Sequence, residues 1–215
     1  NVYGFRSKNF IKNEEFVAAG DSVTYGIGVP EDKVWAAQLA KKHNLSYSNL
    51  GVPGDSVQGI VLNIFAYIKK FGPPKHLFCL FPAFDRMQYP MNSDWTKLWG
   101  STIEPDRNAL EDHPYWKFRI LDLGKEIKKY IKLPADYTDI IPADLPFSES
   151  VSYIHMLEQY CSALNINLKW STWDLDTQLL IQEIMPFENY IPIDMNQDDC
   201  VKHKSDGTWF WEKGM

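Results

Sequence analysis

Apolar residues in the first 84 positions fall into short continuous runs that alternate with a helical stripe. Two segments are apolar without alternation, namely Phe16 to Ala19 and most of His76 to Phe81. This pattern is typical of strands buried on both faces of a parallel sheet. Val57 to Ile68 carries apolar residues three and four positions apart, as an amphipathic helix does. Ser46 to Leu50 is another strand candidate, and Pro30 opens a predicted helix that ends near His43.

The same alternation resumes toward the C-terminus. Ser150 is predicted to cap a helix, Ile166 to Thr172 to form a strand, Asp174 to Ile184 a helix and Tyr190 to Ile193 a last short strand. Alternating strands and helices predict a parallel sheet with right-handed crossovers. We therefore expect an α/β fold, a three-layer sandwich with a parallel sheet of about five strands in the order 2-1-3-4-5. The apolar seam of the helix after Ser150 is predicted to be Ile154, Leu157, Cys161 and Leu164.

Residues 85 to 147 interrupt this alternation and are rich in proline and aromatic residues. One helix, roughly Tyr115 to Ile131, is predicted there. The chain is interpreted as a single domain, residues 1 to 215, with an insertion at about 85 to 147. Aromatic side chains that cannot all enter a small core often line a substrate groove or a subunit contact. The insertion is therefore a candidate contact for a homo-oligomer or for assembly into a virion.

Composition and charge narrow the functional classes. The net charge is −6 and the basic pairs are scattered, which argues against a nucleic-acid partner. The longest apolar run, Leu77 to Phe84, is much shorter than the roughly 20 residues of a membrane-spanning helix, so no membrane span is predicted. The chain does not open with a signal-peptide pattern, and its 3 cysteines are far apart. A cytoplasmic or virion location is expected.

Three loops that follow predicted strands carry the candidate chemistry: Gly20 to Ser22, Gly51 to Gly54, and Pro82 to Arg86. Ligands of parallel α/β sheets bind at the carboxyl ends of the strands, so these loops are expected to line one crevice. A serine on a tight turn after a buried strand can present its hydroxyl to that crevice, with its own N–H available to an oxyanion. The alternative is an ordinary turn in which Asp21 and Ser22 bond to local backbone.

Gly-Asp-Ser at 20–22 and Asn-x-x-x-x-Gly-Asp-Ser at 49–56 together resemble the SGNH (GDSL-type) hydrolases. The resemblance is close over residues 16 to 85 and looser over 150 to 174. It implies a flavodoxin-like sheet and a serine esterase acting on lipids, small esters or O-acetylated sugars. It also implies that Ser22 is the nucleophile and that the N–H groups of Ser22 and Gly54 bind the oxyanion. The segment Val2 to Leu50 further resembles uncharacterised SGNH-like proteins of marine bacteriophages.

Two parts of the family pattern are missing here. Phe84 stands where the family has an asparagine that supplies a third oxyanion donor. Arg86 either supplies positive charge in its place or forms a structural ion pair with Asp85. The sequence contains no Asp-x-x-His motif, and Asp199 to His203 is its nearest match, one residue longer. His203, oriented by Asp199, is the predicted general base; otherwise His203 is a solvated histidine and the base lies beyond these residues or in another chain.

Two functions therefore remain in competition. The first is a serine esterase or acyl hydrolase of SGNH type, which the intact Gly-Asp-Ser favours. The second is a catalytically deficient module of the same fold with a structural or glycan-binding role. No cofactor is predicted, and no metal: Asp194, Asn196 and Asp198 resemble the start of a calcium loop, but Asp199 replaces its glycine and Ser205 its glutamate.

Overall fold

The computed structural model describes residues 1–84, 86–91, 94–98, 145–184, 187–192, 202–203 and 209–210. The main sheet formed by these residues has four strands in the order β2-β1-β3-β6, and every neighbouring pair is parallel. Its strands are β1 (Phe16–Gly20), β2 (Tyr47–Gly51), β3 (His76–Phe81) and β6 (Asn167–Thr172). The predicted order of the first four strands is therefore confirmed, with β1 inside the sheet rather than at its edge.

The remaining described elements are helices and two small antiparallel hairpins. The helices are α1 (Ser22–Tyr25), α2 (Trp35–His43), α3 (Val57–Phe71), α4 (Leu145–Ala163) and α5 (Leu175–Ile184), with a 3-10 helix at Glu31–Lys33. The hairpins pair β4 (Met87–Met91) with β5 (Asp94–Leu98), and β7 (Lys202–His203) with β8 (Trp209–Phe210).

Side chains of β1 alternate between two core clusters, one on each face of the sheet. Val17 and Ala19 belong to the cluster built with α3 and α4, whereas Phe16 and Ala18 belong to the cluster built with α2. All five residues of β1 are buried, as expected for a strand covered on both faces. The sheet thus lies between two helical layers, and its strand ends are left to form a site.

The predicted stripe of α3 packs into the larger cluster. Ile60, Val61 and Ile64 are at most 1% exposed. The Ser56 hydroxyl caps the helix by accepting a hydrogen bond from the Gly59 N–H at 3.2 Å. α3 begins directly after the loop that follows β2, so its first turn lies at the carboxyl edge of the sheet.

The prediction of five strands is wrong for the described residues, which place four in the sheet. Tyr190 forms only a single parallel bridge with Trp170, through two backbone hydrogen bonds. The Tyr190 N–H donates to the Phe187 carbonyl at 3.3 Å and closes a turn immediately before the bridge. Because Phe187 to Tyr190 form this turn, the extended backbone beside β6 begins only at Tyr190, and the segment is too short to form a regular strand.

Two predicted helix starts are also wrong. α4 begins at Leu145 rather than after Ser150, because Pro146 lies in the first turn, where a missing N–H breaks no intrahelical hydrogen bond. The helix expected from Pro30 is divided: a 3-10 turn precedes Val34, whose extended backbone (ψ 139°) separates it from α2. The hairpin of β4 and β5 was not predicted, and the helix expected at Tyr115 to Ile131 lies outside the described residues.

Candidate functional site

The short helix α1 rests directly on the carboxyl ends of β1 and β2. A Cβ on Gly20 would lie 2.6 Å from the Leu80 carbonyl oxygen and would overlap Thr24 Oγ1. A Cβ on Gly51 would lie 2.7 Å from the Thr24 carbonyl carbon and would overlap the Tyr25 nitrogen. Both positions therefore need glycine for close approach, not for an unusual backbone angle. The absence of a Cβ at Gly20 and Gly51 lets α1, which begins with Ser22, lie directly against the edge of the sheet.

Hydrogen bonds from two distant side chains fix α1 and the loop behind it. The Asn49 amide donates to the Thr24 carbonyl at 2.8 Å, and its oxygen accepts from the Gly51 N–H at 2.7 Å. The Arg6 guanidinium donates to the carbonyls of Gly26 and Val29, the latter at 2.6 Å. The asparagine of the Asn-x-x-x-x-Gly-Asp-Ser motif is thus a brace that joins the first motif to the second.

Ser22 is the first residue of α1 and is half-buried. Asp21 precedes it and caps the helix, since its carboxylate accepts a hydrogen bond from the Val23 N–H at 3.0 Å. The helix ends at once, because Gly26 is left-handed (φ 82°) and its N–H donates to the Ser22 carbonyl. Among the described residues, none accepts a hydrogen bond from the Ser22 N–H.

Gly54 occupies the third position of a tight turn after β2. The Asp55 N–H donates to the Val52 carbonyl at 3.1 Å, with Pro53 and Gly54 at the centre of the turn. Gly54 has a φ of 69°, as the third position of a type II turn requires. It is buried, yet its N–H finds no acceptor within the described part of the chain. The turn chemistry alone explains the Pro-Gly pair.

Arg86, in the loop after β3, joins the loops that follow the other strands. Its Nη1 donates to the Asp21 carboxylate at 2.9 Å and to the Asp55 carbonyl at 3.4 Å. Its guanidinium carbon lies 5.4 Å from the centre of the Trp173 ring, just beyond β6. The Arg86 side chain is 16% exposed and that of Asp21 is 0% exposed. The alternative partner predicted for Arg86, Asp85, lies outside the described residues.

Burial sets the protonation behaviour of Asp21. Desolvation raises the pKa of its carboxyl above the ordinary 3.8, while the Arg86 charge, the Val23 N–H and the Trp173 indole each lower that pKa in part. The net direction is upward because the carboxyl has lost its contact with water. The folded chain therefore holds the Asp21 proton more tightly than the unfolded chain does.

Phe84 points into the core rather than toward the strand ends. It is 2% exposed, and its ring centre lies 5.6 Å from that of Phe147. Its N–H donates to Thr177 Oγ1 at 3.3 Å, and its carbonyl accepts from the Ser150 hydroxyl at 3.4 Å. The position at which the family resemblance calls for an asparagine donor is thus occupied by a packing residue whose backbone N–H is already used.

The histidines with described side chains lie away from Ser22. His43 ends α2, and His76 begins β3 at the opposite end of the sheet, as predicted. His155 is exposed on α4. None of these three forms a hydrogen bond with Ser22.

The predicted base belongs to the second hairpin. His203 is the last residue of β7, where its backbone pairs with Trp209, and its side chain lies outside the described residues. Asp199 lies outside them as well. The assignment of His203 and Asp199 stays a prediction from the family resemblance.

One site residue, Trp173, was missed by the sequence analysis. It directly follows β6, so the rule that ligands bind at the carboxyl ends of strands could have found it. The described residues contain no group of three or more His, Cys, Asp or Glu arranged to hold a metal ion. Searched over the same residues, no helix is both long and apolar enough to cross a membrane.

Comparison with known proteins yields little. No family model matches the chain, and no curated protein matches it. Among solved structures, the chain is similar to a member of the lipolytic protein G-D-S-L family from Veillonella parvula DSM 2008. The two are 20% identical with a TM-score of 0.30, over 78% of this chain and 81% of that one. This similarity is too low to assign a family, so the functional interpretation rests on the site residues.

Proposed function

We propose that this chain is a serine hydrolase of SGNH type that acts on ester bonds, with Ser22 as its nucleophile. The observation that carries the proposal is the pair of backbone N–H groups on Ser22 and Gly54. Neither has an acceptor among the described residues, and that of Gly54 belongs to a buried residue, where N–H groups are nearly always paired. Both belong to loops that Arg86 ties together through Asp21 and Asp55. Two such donors beside a serine hydroxyl are what an oxyanion site requires.

The reaction would follow the usual course of acyl transfer. The Ser22 oxygen attacks the acyl carbon while a general base takes the hydroxyl proton, and the two N–H groups stabilise the oxyanion of the tetrahedral intermediate. The base returns the proton to the leaving alcohol, and water then releases the acid from the acyl-enzyme. We assign the base to His203, with Asp199 orienting its ring. The substrate class is a small ester, a lipid or an O-acetylated glycan.

The test combines turnover with chemical labelling. Short-chain acyl esters and acetylated oligosaccharides are offered to the chain, and a fluorophosphonate probe followed by peptide mass spectrometry identifies any reactive serine. Ser22→Ala is expected to abolish both labelling and turnover. Ser152→Ala is the matched control, since Ser152 is exposed on α4 and its hydroxyl only donates to the Ser148 carbonyl.

A third variant tests the base. His203→Ala is expected to reduce turnover by at least about a hundredfold, as loss of a general base does. Activity that disappears in Ser22→Ala but persists in His203→Ala would show that another group is the base. Absence of labelling and turnover in the wild type would refute the hydrolase.

One observation favours a non-catalytic module instead, namely the burial of Phe84. Loss of a single oxyanion donor lowers turnover on the order of 10²–10³ in other hydrolases, and Phe84 supplies none in place of asparagine. Such a module would hold a glycan at the same strand ends, or form part of a larger assembly, without cleaving. Calorimetric titration with acetylated and deacetylated oligosaccharides separates the two functions, because the module binds the acetylated form and leaves it intact.

A further inference from the structure

Four loops meet at one guanidinium at the carboxyl edge of the sheet. Arg86 lies in the loop after β3, bonds to Asp21 after β1 and to Asp55 after β2, and its guanidinium carbon lies over the ring of Trp173 after β6. The loops that follow the four strands of the sheet thus meet at the Arg86 side chain, which itself belongs to the loop after β3. A planar fork of five donors can bind several acceptors at fixed angles, which the single point charge of a lysine cannot do.

Contacts of Phe84 hold the loop after β3 in a position from which Arg86 reaches Asp21 and Asp55. Phe84 is anchored in the core, with its N–H bound to Thr177 on α5 and its carbonyl bound to Ser150 on α4. Arg86, two residues later, contacts the buried Asp21 carboxylate at the end of β1. A buried carboxylate is tolerated only when it is paired and hydrogen-bonded, so Asp21 and Arg86 each hold the other in place.

The contacts of Arg86 lie one residue away from each proposed oxyanion donor. Asp21 precedes Ser22, and Asp55 follows Gly54. We propose, on the basis of the hydrolase function above, that Arg86 is a positioning residue that sets the spacing between the Ser22 and Gly54 N–H groups. It acts through Asp21 and Asp55 and does not itself replace the missing asparagine donor. A displacement of about 1 Å in such a site can lower turnover on the order of a hundredfold.

The first experiment measures turnover per reactive site. Arg86→Met removes the guanidinium while keeping an apolar stem, and fluorophosphonate titration of Ser22 counts the competent molecules. A misplaced oxyanion donor is expected to lower kcat per titrated site by about ten- to a hundredfold. KM should change by less than about threefold. Arg86→Lys, which keeps the charge but not the fork, is expected to recover part of this loss.

The matched control is Glu15→Met. Glu15 also joins two segments through a charged side chain, but at the opposite edge of the sheet, where its carboxylate accepts hydrogen bonds from the Ser46 N–H at 2.9 Å and the Ser46 hydroxyl at 3.0 Å. It is expected to lower the melting temperature while leaving kcat per titrated site within about twofold. If Arg86→Met behaves in the same way, Arg86 is merely structural and the positioning role is refuted. Should Arg86→Met fail to fold, Arg86→Lys carries the same comparison.

A second readout does not depend on catalysis. The Val23 N–H is bound to Asp21 and the Asp55 N–H to the Val52 carbonyl, one in each loop that Arg86 contacts. Hydrogen exchange at both amides is expected to become at least about tenfold faster in Arg86→Met, and at neither in Glu15→Met. If the wild type shows no labelling or turnover, the hydrolase fails, and exchange alone decides the positioning role. Unchanged exchange at either amide would overturn it.

Discussion

Replacing Gly20 with alanine tests how closely α1 is seated on the sheet. The added Cβ would overlap Thr24 Oγ1, and it would lie 2.6 Å from the Leu80 carbonyl oxygen and 2.8 Å from the Thr24 Cβ. The Leu80 carbonyl belongs to β3 and cannot rotate away as a side chain can. The substitution must therefore push β1 away from β3 at Leu80, and move α1, with Ser22, off the ends of β1 and β2.

The expected cost follows from these contacts. Overpacking a close-packed site costs about 1–3 kcal/mol, and a backbone obstacle places Gly20→Ala near the upper end. The smaller entropy of the unfolded alanine chain returns about 0.4–1 kcal/mol. A net loss of about 2 kcal/mol lowers the melting temperature by about 4–8 °C in a domain of this size.

Gly28→Ala is the control for this experiment. No atom lies within 4 Å of a Cβ at Gly28, but its φ of 74° is unfavourable for alanine. A left-handed alanine costs about 1–2 kcal/mol before the entropy gain, so its melting temperature should fall by only about 2–4 °C. Thr24→Ala in the Gly20→Ala background removes one of the overlaps and should restore part of the loss. Equal melting temperatures for the two glycine variants would refute the close seating of α1.

Titration and ring packing provide three further tests. Burial raises the pKa of Asp21 in the folded chain above the ordinary 3.8, so the wild type loses stability as pH rises from 3.8 through the raised value. In urea unfolding at increasing pH, its advantage over Asp21→Asn should therefore shrink, and an advantage that grows would contradict this. Burial likewise raises the pKa of Tyr67 from 10.0 to about 12. As pH rises from 10.0 to about 12, the wild type should therefore lose stability more steeply than Tyr67→Phe. Parallel curves of stability against pH for the two proteins would contradict this. Trp170 is 0% exposed and its indole donates to Glu158 at 3.0 Å, so Trp170→Phe should lower the free energy of unfolding by about 1–3 kcal/mol, and a change below about 0.5 kcal/mol would exclude this role.

The parallel strands were predictable because burial on both faces leaves a simple pattern. β3 spans the predicted residues His76 to Phe81, and β1, β2 and β6 differ from their predictions by one residue at one or both ends. In β1 and β3, continuous apolar runs allow few other structures, whereas β2 and β6 contain polar residues and were predicted from their place in the alternation of strands and helices. The apolar stripe of α3 was equally informative, since its period fits a helix and no strand.

The errors share a different cause, which is that local residues are compatible with more than one structure. Pro146 falls within the predicted insertion, although a proline is equally acceptable in the first turn of α4. Tyr190 has a strand-like sequence, but the preceding turn leaves it one bridge with Trp170. Ser150 suits a helix cap, yet inside α4 its hydroxyl instead bonds to the Phe84 carbonyl. In each position tertiary contacts decide between alternatives that have similar local preference.

The pairing of Asp21 with Arg86 shows how topology creates a site that no short motif contains. The two residues are 65 positions apart, and they meet because β1 lies beside β3 and both strands end at the same edge. Gly20 allows α1 to lie directly on the sheet, and Asp21, which precedes α1, is buried there. A buried carboxylate needs a cation beside it. Arg86, two residues beyond Phe84 in the loop after β3, supplies that cation. The pairing therefore depends on the order of the strands in the sheet, which a short sequence motif does not contain.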